Sequence, residues 1–182
     1  MIFETLEELH KEWEVNGSCR SGMAFNKSCT SLQEVLEKCP IDFRVWRLSK
    51  GYIQFSEHCD WFKLDGYDLA YLLRNQPKFS EHCDWLKLGG WNWSNLLSNK
   101  PQFSEHCDWS TLDGWDWCKL LSNQPQFSEH CDCSTLNGRD WSNLLSKQPQ
   151  FAEHCVWSKL GVEDWRELLS NQPHIKVQNL NI

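Results

Sequence analysis

Glu-His-Cys recurs five times at a fixed interval, in the segments that open at Phe55, Phe79, Phe103, Phe127 and Phe151. Neutral imidazole and thiolate are good ligands for zinc or copper, so the first chemistry to weigh is metal binding. The local geometry argues against it. Adjacent residues on a helical turn point about 100° apart, so His106 and Cys107 do not converge. Equivalent residues of neighbouring copies are expected roughly 10 Å apart, too far to share one ion. The expectation is that Cys59, Cys83, Cys107, Cys131 and Cys155 pack inward as small hydrophobes, with the Glu and His outside. Cys19, Cys29 and Cys39 are a second candidate metal set, at equal spacing but unlike a compact iron–sulfur motif and with no obvious fourth ligand. Cys118 has Ala70, Ser94, Ser142 and Arg166 as counterparts, which reads as a helix surface; Cys133, where other copies carry Trp, reads as drift.

No glycine-rich phosphate loop, nucleophile elbow or paired-His zinc motif is found in the sequence. A catalytic centre needs unlike groups converging at one point, whereas this chain presents like groups at five equivalent places. The expectation is a non-enzyme that requires no cofactor.

The elements that must carry these residues follow from the period. Each step is 24 residues: Trp61, Trp85, Trp109 and Trp157 share one register, Leu64, Leu88, Leu112, Leu136 and Leu160 another, and Pro77, Pro101, Pro125, Pro149 and Pro173 close the copies. Within one copy, Trp93, Leu96 and Leu97 fall on one face of a short helix. Asn92 is expected to cap that helix, as Asp68, Asp116, Asp140 and Asp164 are in the other copies. Trp91 is expected to staple onto Leu96, and Pro101 to stop the helix. A second turn carries Phe103 and Cys107; a third, capped by Asp108, carries Trp109 and Leu112, with Gly114 as its exit turn. No copy can bury enough surface alone, so the copies must stack into one core.

This predicts an all-α helical solenoid of 24-residue repeats, each with one α-helix and shorter helical turns. Residues 54–173 form five copies, 1–53 an amino-terminal helical cap with degenerate partial repeats, and 174–182 a tail. Ser31 to Pro40 echoes the repeat helix, Phe43 to Ser56 a partial unit, and Thr5 to Trp13 a polar-faced starting helix. The period, the alternation of one helix with shorter turns, and Leu-Leu-Ser-Asn-Gln-Pro at the helix ends resemble the leucine-rich repeat variant family. That resemblance covers about residues 30–173 and implies a right-handed superhelix; the family can also carry an amino-terminal iron–sulfur cluster. The Trp-rich letters are similar to Trp/Leu-rich bacterial tandem repeats. The strand motif of the ordinary leucine-rich repeat is absent.

Charge and composition narrow the function. The net charge is -7, and residues 54–173 hold 10 Lys and Arg against 17 Asp and Glu. An acidic array repels phosphate backbones, so direct nucleic-acid binding is disfavoured. No apolar run is long enough to span a membrane. The acidic amino terminus lacks the features of a signal peptide, and the regular cysteine placement suits a reducing cytoplasm. The leading expectation is a scaffold that binds an unidentified protein partner through an extended face. Its candidate contact residues vary between copies: Tyr67, Tyr71, Arg74, Trp91, Asn95, Trp115, Lys119 and Arg139. Tyr71 is expected to project outward. The alternatives are a metal- or cluster-bearing protein and an acidic mimic of nucleic acid that engages a basic protein.

Overall fold

The computed structural model describes residues 2–16 and 20–175. Among these residues there is no strand; the chain is α-helices joined by 3-10 turns. It falls into two compact units, Met1–Asp84 and Trp85–Ile182.

The first unit holds α1 (Leu6–Asn16), α2 (Arg20–Ser28), α3 (Leu32–Lys38), α4 (Ile41–Ser49) and α5 (Gly66–Asn75). α1 covers the expected starting helix, while α2 was not anticipated. Ser31 caps α3 as the sequence suggests, its side chain accepting from Glu34 N, and Val35 and Leu36 are buried. α4 packs on α5. The core of this unit is Leu9, Trp13, Leu48, Phe55 and Leu64, built around the buried side chain of Arg47.

The second unit is the regular stack: α6 (Gly90–Asn99), α7 (Gly114–Asn123), α8 (Gly138–Lys147) and α9 (Val162–Asn171), each packed on the next. Between consecutive helices run a six-residue and a three-residue 3-10 turn, as at Pro101–His106 and Trp109–Thr111. The helix core is Trp93, Leu96 and Leu97 and their equivalents Trp117, Leu120, Leu121 and Trp141, Leu144, Leu145, all buried. Each Pro follows the helix by one residue and opens the 3-10 turn, where its missing N–H is harmless. The Gln before it reaches back one copy. Gln124, Gln148 and Gln172 Nε2 donate to the carbonyls of Ser98, Ser122 and Ser146 at 3.1, 3.0 and 3.0 Å. Those are last-turn carbonyls that the helix itself leaves unpaired.

The helices begin three residues earlier than the cap assignment above. Asp65, Gly89, Asp113, Asn137 and Gly161 are the caps. Asp68, Asn92, Asp116, Asp140 and Asp164 therefore sit at the third helical position. There Asp116 and Asp140 accept a hydrogen bond from the backbone N–H of the cap residue and close a capping box. Asp113 Oδ1 accepts from Asp116 N at 2.9 Å in exchange. Asp and Asn stand at both ends of this reciprocal pair, so composition alone did not tell cap from third position. Gly114 is consequently the first residue of α7, not an exit turn.

Trp91 moves with the same correction. It is the second helical residue, 47% exposed, and does not staple. The position before the cap is held instead by the buried Leu88, Leu112 and Leu136. The supposed surface register is also inside: Ala70, Ser94, Cys118 and Ser142 are all buried, and only the terminal Arg166 is exposed. Small side chains stand there because Ser94 Oγ must reach Asp116 Oδ1 of the next helix, at 2.9 Å.

Candidate functional site

Two sets of outward residues recur along the copies. The first lies on the 3-10 turns. The Trp that opens each short turn is half-buried and stacks on the buried helix Trp of its own copy, as Trp85 on Trp93 at 5.7 Å and Trp109 on Trp117 at 5.6 Å. Its other partner comes from the next copy: His106 lies flat on Trp85 at 4.2 Å and His130 on Trp109 at 4.3 Å. In the first unit His82 stacks on Trp61 in the same way, at 4.2 Å. Each imidazole also lies 3.5 to 3.6 Å from the Glu before it. The histidines are thus packing elements between copies, a role the sequence reading did not assign.

The cysteines of Glu-His-Cys are less buried than expected. Cys59, Cys83, Cys107 and Cys131 are half-buried, because the tighter 3-10 turn places them at its end rather than beneath it; Cys155 is buried. Burial still dominates their chemistry, raising the thiol of Cys107 to about 12 and that of Cys59 to about 11. A metal needs the thiolate, which burial opposes. Among the described residues, no three His, Cys, Asp or Glu side chains group to hold a metal ion. Of the amino-terminal set, Cys19 lies outside the described residues, and Cys29 and Cys39 are buried. Arg47 donates to Cys39 Sγ and, at 2.6 Å, to Asn26 Oδ1. It lies over the rings of Trp13 and Phe55 at 4.2 and 4.9 Å. Arg44 donates to the carbonyls of Glu37, in the last turn of α3, and Cys39, its C-cap, at 3.2 and 3.0 Å. Burial pushes the Cys39 thiol up, and Arg47 pulls it partly back. Neither arginine was singled out in the sequence, where Arg reads as surface.

The second set lies at the second position of the α-helices. This position is about 200° around the helix from the core Trp, hence outward. In the second unit it reads Trp91, Trp115, Arg139 and Glu163, all exposed. Trp91 and Trp115 are 47% and 54% exposed, large values for so apolar a ring. Lys119, one turn after Trp115, lies between the two indoles, its Nζ 5.7 Å from the Trp91 ring and 5.4 Å from the Trp115 ring. It also donates to Asn95 Oδ1 of the preceding helix. Four predicted contact residues therefore come together: Trp91, Asn95, Trp115 and Lys119. Arg139 continues the same register on α8.

In the first unit Tyr67 is 58% exposed and stacks parallel to Tyr71 at 6.5 Å. Tyr71 does not project freely. It is half-buried, its hydroxyl accepts from Ser49 Oγ at 3.4 Å, and Arg74 lies over its ring at 5.7 Å. α4 packs against α5 and brings Ser49 onto the Tyr71 hydroxyl.

Searches against family models, curated proteins and solved structures return no match for this chain. The described residues contain no helix long and apolar enough to cross a membrane.

Proposed function

We propose that this protein is a non-catalytic, cytoplasmic scaffold that binds a protein partner through the outward helix row of its second unit, with Trp91 and Trp115 as anchors. The observation that carries this reading is the pair of exposed indoles on adjacent helices, flanking Lys119. Aromatic side chains of this kind concentrate binding energy at protein interfaces. Here they start from packed helices, and the contact between Lys119 and Asn95 ties the row across two copies. Little side-chain entropy is then lost on binding. Variation from Trp to Arg to Glu along one register lets successive copies contact different parts of a partner. A repeat of one α-helix and 3-10 turns every 24 residues supports kinship with leucine-rich repeat variants. The regular placement of cysteine, one at the same position of each copy, suits a reducing compartment.

The test is affinity capture from host lysate with the wild-type chain and a Trp91→Ala/Trp115→Ala variant, read by mass spectrometry. Both rings are exposed, so the melting temperature should stay nearly unchanged while the specific partner is lost. Recovery of the same partner in the same yield overturns the proposal. Capture of mainly nucleic-acid-binding proteins, abolished by salt, would replace it with the acidic-mimic reading.

A further inference from the structure

The fourth copy departs from the others at one residue of its short turn. Cys133 stands where Trp61, Trp85, Trp109 and Trp157 stand in the remaining copies, and it follows Cys131 by two residues. Neither cysteine is paired, and both are half-buried rather than enclosed. Cys131 ends the 3-10 turn Pro125–His130 and Cys133 begins the turn Cys133–Thr135. The single residue between them, Asp132, is extended, with φ -79 and ψ 96. Extended backbone sends side chains two residues apart to the same side. Two such residues lie about 6.4 to 6.8 Å apart at Cα, at the upper end of the roughly 4.4 to 6.8 Å that a disulfide spans. After burial, the nearby sulfur of Cys133 is the next largest influence on the Cys131 thiol.

We propose that Cys131 and Cys133 are a redox-active dithiol that closes to an intramolecular disulfide on reaction with a low-molecular-weight disulfide. The thiolate of Cys133 attacks one sulfur of that disulfide, forming a mixed disulfide and releasing one thiolate. Cys131, after losing its proton, attacks Cys133 Sγ, and the second thiol leaves. Two protons and two electrons pass from the protein to the small disulfide, which is reduced to two thiols. Cys133 makes the first attack, because burial and the neighbouring sulfur raise the Cys131 thiol well above its ordinary value. The other four copies carry Trp in place of the second thiol, so this chemistry belongs to one copy of the array.

The test equilibrates the full-length native protein in reduced and oxidised glutathione, quenches it by alkylation and maps the peptides. Residues 120–139 form one tryptic peptide holding Cys131 and Cys133 and no other cysteine. The expected result is that most copies of this peptide become two hydrogens lighter and resist alkylation, at a ratio where Cys59 and Cys107 remain free thiols. In Cys133→Ser, and in Cys133→Trp, which restores the residue of the other copies, Cys131 should stay a thiol or carry glutathione. Three outcomes overturn the proposal: both cysteines alkylated across the whole range, a link from Cys133 to Cys155, or closure only after unfolding in urea.

Discussion

Gly90, Gly114 and Gly138 are required by space rather than by backbone angle, since Gly51 alone among the described glycines has a positive φ. A Cβ on Gly114 would lie 2.6 Å from the Thr135 carbonyl and 2.6 Å from Asp140 Oδ2 of the next copy. The obstructing carbonyl is backbone and cannot swing away. Gly114→Ala should therefore destabilise by about 1 to 3 kcal/mol, the usual range for overpacking. Gly161, at the cap position, meets nothing closer than 3.5 Å, and Gly161→Asn, which copies Asn137, should change stability by less than about 0.5 kcal/mol. Urea unfolding of the two variants checks the contrast. The thiols make a second prediction at this scale. Cys59 and Cys118 are raised to about 11, and Cys107 and Cys155 to about 12, all chiefly by burial. Above the ordinary thiol range the unfolded chain loses these protons first, so it binds fewer protons than the native state and stability falls as pH rises. The stabilising effect is complete below about pH 9 and is lost as the pH climbs through 11 to 12. Melting curves should decline in this window, and less steeply once Cys107 and Cys118 are replaced by Ala and Ser; an unchanged slope would refute the assignment.

At the scale of elements, the 3-10 turns are a joint between copies, and the chain carries its own control for it. His106 and His130 are covered by the indole of the preceding copy, leaving 38% of each side chain exposed. For His154 the corresponding residue of the preceding copy is Cys133 rather than Trp, and its side chain is 56% exposed. Aromatic pairs of this geometry contribute about 0.5 to 1.5 kcal/mol beyond area burial. His106→Ala and His130→Ala should each cost that much in denaturant melts, and His154→Ala less than about 0.5 kcal/mol. Equal losses at the three positions would show that the stacks contribute nothing. The same logic explains why Glu-His-Cys recurs without forming a site: the His is spent on the neighbour's Trp, and the Cys on the end of a turn.

At the scale of the whole chain, α9 departs from the register of the helices before it. Val162 occupies the position of Gly90, Gly114 and Gly138 and is 75% exposed. Leu169, whose counterparts Leu97, Leu121 and Leu145 are at most 1% exposed, is 46% exposed because no helix follows α9 among the described residues. A further copy in the same geometry would bring a backbone carbonyl against the Val162 side chain, as the 2.2 to 2.6 Å approaches at the three glycines show. Fusing a copy of residues 125–148 after Gln172 should thus raise the melting temperature and the helical signal only when Val162→Gly is included. A gain of equal size with Val162 retained would show that this residue does not terminate the array.

The period, the helix core and the role of Pro were determined by the sequence alone, because apolar spacing and a residue lacking an N–H act locally. Trp93, Leu96 and Leu97 stand 1% exposed or less, as their i, i+3, i+4 spacing required. The glycine register was equally visible, but its reason was not: a Cβ at Gly114 collides with a residue 21 positions away. The same holds for the cap assignment, where two interchangeable Asp and Asn positions exchange hydrogen bonds and only the backbone angles tell them apart. Tyr71 and Cys118 read as outward because their helices, taken singly, leave them outside. Each is covered by a neighbouring helix, and which neighbour covers which face is set by packing between copies. Lys119 between two indoles is the clearest case, since one ring belongs to its own helix and the other to the helix before it.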